Sequence, residues 1–185
     1  EFVTNMDNLF QGLPTHFNEP IGRWNVSRVT SMADMFTHAH TFDQSLATWD
    51  VGKVKDMSSM FSHAYSFNQP LATWDVGNVR TMHSMFRYAS SFNQPLEAWN
   101  VGNVRNMNSM FLNASAFNQS LQAWNMENVS EKDSMFDGAS SFDQSCCKSQ
   151  QTIEQWYPCR ESSGTDPSSE ASGIDPGQDC VGTIQ

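Results

Sequence analysis

Trp24, Trp49, Trp74, Trp99 and Trp124 stand 25 residues apart. Phe17, Phe42, Phe67, Phe92, Phe117 and Phe142 keep the same step, as do the pairs Met35-Phe36, Met60-Phe61, Met85-Phe86, Met110-Phe111 and Met135-Phe136. Ala39, Ala64, Ala89, Ala114 and Ala139 complete the register. An ungapped period means that every unit meets its neighbours in the same way, so equivalent residues lie one above another. One unit, 67–91, carries apolar Phe67, Leu71, Trp74, Val76, Val79, Met82, Met85, Phe86 and Ala89. No unit can bury these alone, but stacked units bury them as continuous ladders.

The period also divides the chain. Residues 1–16 form a partial N-terminal repeat, in which Met6, Leu9 and Phe10 match Met32, Met35 and Phe36 at a step of 26. Residues 17–145 hold five repeats and the start of a degenerate sixth. Residues 146–160 read as a Cys-containing cap, and 161–185 as a Ser-, Gly-, Asp- and Pro-rich tail or linker. Within a unit, Trp74 and Val76 lie two apart, which predicts a short strand over 71–76. From Val79 the apolar residues fall at 79, 82, 85–86 and 89, the spacing of a helix with one buried face. The expected fold is an α/β solenoid that is leucine-rich-repeat-like, with short parallel strands on one wall and short helices on the other. A pure β-helix is the alternative.

Acidic residues outnumber basic ones 20 to 10, for a net charge of −10. Nucleic-acid binding, which needs clustered cations to displace counterions, is therefore not expected. No apolar run has the length of a membrane span. The start at Glu1, without a signal-like apolar stretch, reads as a processed form or a fragment.

The motif Phe-Asn-Gln-x-Leu-x-x-Trp-Asp/Asn-Val-x-x-Val-x-x-Met-x-x-Met-Phe-x-x-Ala, complete in 67–89 and 92–114, resembles the BspA-like leucine-rich repeat surface proteins of the DUF285 type. The resemblance covers about residues 5–145 and weakens where Met126 replaces a Val and Lys132 a Met. It implies a secreted or cell-surface protein with a role in adhesion or surface architecture, and no catalytic site.

All four cysteines, Cys146, Cys147, Cys159 and Cys180, follow the last full repeat. Such clustering favours a disulfide cap and an oxidising compartment. Neighbouring Cys146 and Cys147 are poorly placed to bond each other. That leaves 146–159 with 147–180, or 146–180 with 147–159; a zinc site is the runner-up, without the paired C-x2-C spacing.

Two columns are candidate binding surfaces. Asn25, Asp50, Asp75, Asn100 and Asn125 form a polar strand face that could hold a glycan or protein, or simply bond turn backbone. Interchange of Asn and Asp argues against acid–base catalysis there. Arg28, Lys53, Lys55, Arg80 and Arg105 form a basic stripe suited to an acidic polysaccharide or protein edge. Asn25, Asn113, Asn118 and Asn128 begin Asn-x-Ser/Thr sequons, with Asn113 and Asn128 the better glycosylation candidates.

His16, His38, His40, His63 and His83 read as surface or turn residues, with no metal site and no cofactor expected. No phosphate loop, nucleophile elbow or calcium-repeat signature occurs. The expected function is a non-enzymatic extracellular repeat protein, either a structural subunit assembling with itself or a module binding an extracellular glycan or protein. A glycoside hydrolase using Asp50 and Asp75 is a distant alternative.

Overall fold

A computed structural model describes residues 2–13 and 16–142, all within the unit Glu1–Phe142. The cysteines and the 161–185 tail lie outside the described residues. The chain winds as stacked 25-residue coils, each joined to the next by a single parallel bridge: Asn5 to Ser31, Ser31 to Asp56, Asp56 to Thr81, Thr81 to Asn106 and Asn106 to Glu131.

The segment after each bridge sets the architecture. The N–H groups of Met57, Ser59, Phe61 and His63 donate to the carbonyls of Thr81, His83, Met85 and Arg87 in the following coil, at 2.7–3.1 Å. The carbonyls of Asp56, Ser58, Met60 and Ser62 accept from Met32, Asp34, Phe36 and His38 of the preceding coil. The intervening peptides close turns within the coil, with Met60 N–H on Met57 O, Ser62 on Ser59 and Ala64 on Phe61, at 2.9–3.3 Å. Alternate peptides thus lie along the stack and within the coil. Two residues per segment take the left-handed conformation to permit this, Ser59 (φ 55°) and His63 (φ 59°) here, with equivalents in every coil.

This arrangement overturns the α/β, leucine-rich-repeat-like expectation. The described residues contain no helix and no strand longer than an isolated bridge. The predicted helix is a run of overlapping turns. A helix would use the N–H groups of Ser59, Phe61 and His63 internally, but these serve the next coil. The predicted strand over 71–76 is two turns, closed by Trp74 N–H on Leu71 O at 3.0 Å and Val79 N–H on Val76 O at 2.9 Å. Apolar steps of three arise from successive turns as readily as from one helical face.

Equivalent residues stack in the core. Phe36, Phe61, Phe86, Phe111 and Phe136 form one ladder, with centroids 5.4–5.7 Å apart and planes within 9°. A second ladder, from Phe17 through Phe142, runs beside it, and Phe61–Phe67 and Phe86–Phe92 centroids lie 4.0 Å apart. Met57, Met60, Met82 and Met85 fill the space around the rings and are fully buried. The indole N–H groups of Trp49, Trp74, Trp99 and Trp124 are anchored one coil back, for example Trp74 on Leu46 O at 3.0 Å and Trp99 on Leu71 O at 2.9 Å.

Phe86 is fully buried between Phe61, Phe92 and Phe111, in the middle of the ladder. Phe86→Ala is expected to lower unfolding free energy by about 3–5 kcal/mol, measured by urea denaturation; a loss below about 1 kcal/mol would contradict the ladder packing.

Candidate functional site

Most repeating polar side chains are engaged between or within coils. Asn18 Oδ1 accepts from Asp43 N, Asp43 Oδ1 from Asn68 N, Asn68 Oδ1 from Asn93 N and Asn93 Oδ1 from Asn118 N, at 2.8–2.9 Å. Gln69, Gln94 and Gln119 add amide bonds to Asp43, Asn68 and Asn93. The sequence places Asn118 in a recurring Asn/Asp column, and the Phe-(Asn/Asp)-Gln triplet that heads the units from Phe42 on was the signal of a ladder that sequence reading did not draw.

The Asn/Asp column lies on no strand; its side chains bond turn backbone, the second of the two readings its sequence allowed. The Oδ1 atoms of Asn25, Asp50, Asp75, Asn100 and Asn125 accept from the N–H two residues on, at 3.0–3.2 Å. Asp50 Oδ1 and Asp75 Oδ2 flank Gly52, each 3.4 Å from where a Cβ on that glycine would stand. These side chains remain exposed.

Lys55, Arg80 and Arg105 stand in one exposed row on adjacent coils. Their backbones are tied directly, Arg80 N–H to Lys55 O and Arg105 N–H to Arg80 O, each at 2.9 Å. Among the described residues none of the three forms an ion pair. Lys53 is exposed two residues from Lys55, whereas the Arg28 guanidinium lies over the Phe2 ring at 3.5 Å. The two basic columns thus share one side of the coils, and the Asn78 and Asn103 amides that continue the first donate to Gly52 O and Gly77 O at 2.7 Å.

The sequon asparagines differ in setting. Asn128 Nδ2, the atom that would carry a glycan, donates to Gly102 O at 2.6 Å. Asn113 is left-handed (φ 58°), half-buried and packed over Gly138. Asn25 Oδ1 accepts from the Ser27 hydroxyl of its own sequon at 2.7 Å. Asn118 belongs to the ladder described above.

His38 and His63 share a column in the sequence, and the structure stacks them. His38 stacks on His63 at 4.4 Å and His63 on Tyr88 at 4.7 Å, while His40 stacks on Tyr65 at 4.8 Å. Burial, then the charges of His38, Arg87 and His40, hold the His63 imidazole below its ordinary value. Among the described residues no cluster of His, Cys, Asp and Glu is arranged to hold a metal ion. No helix there is long and apolar enough to cross a membrane.

The repeat that builds these columns is a family trait. A family model described as "Mycoplasma protein of unknown function, DUF285" matches residues 1–89 and 69–156, as two tandem copies. The chain belongs to this DUF285 family. No curated protein and no solved structure gives a significant match.

The position of His63 fixes a pH dependence. Its folded pKa lies below that of the unfolded chain, so below about pH 6.5 the unfolded state binds the proton more readily. Stability is expected to fall as pH drops from 7.5 into that range, and His63→Asn to flatten the dependence. Urea denaturation at the two ends of the range checks this; an unchanged slope in the variant would place the effect elsewhere.

Proposed function

We propose that the chain is a non-enzymatic, secreted or cell-surface repeat protein that acts as an adhesion module, holding an acidic extracellular glycan along its basic row. The observation that carries the reading is the row itself: Lys55, Arg80 and Arg105 are exposed on consecutive coils and form no ion pair among the described residues. Stacked backbone at a rise of about 4.8 Å sets like charges close enough to repel, and a linear polyanion running across the coils relieves that repulsion. The BspA-like surface-protein resemblance supports the extracellular placement and the adhesive role. The disulfide cap proposed for Cys146, Cys147, Cys159 and Cys180 accords with the same compartment. No catalytic role is assigned to Asp50 and Asp75.

A second reading, a structural subunit of an extracellular assembly, is favoured by apolar side chains exposed on the first described coils. There Phe2, Val3, Leu9 and Trp24 are 42–70% exposed, whereas Trp49 and Trp74 are 3% exposed. Concentration-dependent association in sedimentation, weakened by Leu9→Glu, would support it.

Replacing Lys55, Arg80 and Arg105 together by Gln is expected to weaken retention on immobilised alginate, a polymer of uronic acids. Three exposed contacts of about 0.5 kcal/mol each amount to roughly tenfold in affinity. Equal binding by wild type and variant, or no binding by either, would reject the adhesion reading.

A further inference from the structure

The outer corner formed by residues 37–40, 62–65 and 87–90 gathers rings and cations. His38, His63 and Tyr88 form one stack, His40 and Tyr65 a second beside it, and His38–His40 and His63–Tyr65 meet edge-on at 5.7 and 6.0 Å. The Arg87 guanidinium lies 5.4 Å from the Tyr88 ring centroid. Its Nε is buried and has no hydrogen-bond partner among the described residues, and such orphan donors are rare in folded proteins.

Three further observations point to a ligand. His38, His63 and Tyr88 occupy the left-handed position of their turns, with φ of 57–62°. The same column holds Gly12, Asn113 and Gly138 in other coils, residues that take this conformation more readily. Two imidazoles and a phenol ring, of which Tyr88 is the least suited to this conformation, are therefore kept in three adjacent coils, a kind of strain that clusters at functional sites. Among the described residues the charged and titratable groups facing His63 are His38, His40 and Arg87, with Tyr65 and Tyr88 as ring neighbours, and no carboxylate is among them. Two protonated imidazoles stacked at 4.4 Å repel each other unless an anion joins them.

We propose that this corner binds an oxyanion group, sulfate or its like, through Arg87 and the imidazoles of His38 and His63, and that capture strengthens as the imidazoles take up protons. The corner is formed by other columns than the basic row, so the proposal does not rest on the adhesion reading. Binding and protonation are reciprocal: an anion that favours the charged rings raises their proton affinity by the same factor by which protonation raises anion affinity.

The test uses the full chain and sulfate, whose charge is constant across the histidine range. Histidine ring resonances are titrated from about pH 5 to 8, in sodium sulfate and in sodium chloride of equal ionic strength. Sulfate is expected to raise the His63 midpoint over its chloride value by about half a unit, roughly a threefold change in proton affinity. Arg87→Leu and His63→Asn copy the residues that the fold itself carries at Leu112 and Asn113. In Arg87→Leu the sulfate-minus-chloride difference should vanish, and in His63→Asn the corresponding difference at His38 should vanish. Arg87→Ser, as at Ser62, provides a second variant should the first fail to fold. Glutamines at Lys55, Arg80 and Arg105 should leave the difference intact. Equal midpoints in the two salts, persistence of the difference without Arg87, or its loss in the glutamine variant would overturn the proposal.

Discussion

The alternation of peptide planes is the constraint on which the rest of this structure depends. One peptide lies along the stack and bonds the neighbouring coils; the next lies within its own coil and closes a turn. Backbone donors and acceptors are costly to bury unpaired, so a coil of this kind is complete only between two others. The ladder fixes the register, and the register fixes which side chains meet. An inserted residue within the turn segment would misalign every column beyond it. The one irregular step, the 26 residues from Asn5 to Ser31 against 25 from Ser31 to Asp56, has its extra residue among 11–16, after the first turn segment.

Much of this was legible in the sequence, and the limits have a physical cause. The period and its apolar columns identify the core, since Val79, Met82, Met85, Phe86 and Ala89 are all buried. The local conformation was not legible, because steps of three suit a helix and a series of turns alike. The deciding residues are the left-handed ones. Ser84 and Tyr88 carry no outward sign of positive φ, and only Gly12, Asn113 and Gly138 clearly mark the column of Tyr88. The expected strand failed for a related reason. Trp74 and Val76 do share the core, but each terminates or begins a turn.

The candidate sites divide in the same way. The row of Lys55, Arg80 and Arg105 could be read directly, because columns stay columns whatever the backbone does between them. The shared column of His38, His63 and Tyr88 could be read in the same way, but its meeting with His40 and Tyr65 could not, because that joins two columns whose proximity follows from the turns at Ser62–Tyr65. Elsewhere the recurring amides of Asn68, Asn93 and Asn103 are held in bonds between coils. The surface positions that vary from unit to unit are therefore where recognition has room to differ among such repeats.

The alternating peptides also give the stack an electrical sense. In a β-strand successive N–H groups point to opposite sides and their dipoles largely cancel. Here the axial peptides of one segment point the same way: Met57, Ser59, Phe61 and His63 all donate toward the following coil, whereas Lys55 and Ser66 donate back. The imbalance repeats in the coil carrying Met82, Ser84, Phe86 and Tyr88. Aligned peptide dipoles add, as they do along a helix, so the stack is negative toward its first coil, where the carbonyls of Asn5, Asp7 and Leu9 meet no backbone donor among the described residues. Like ends of two such stacks repel and unlike ends attract, a polarity carried by the main chain and independent of side-chain charge.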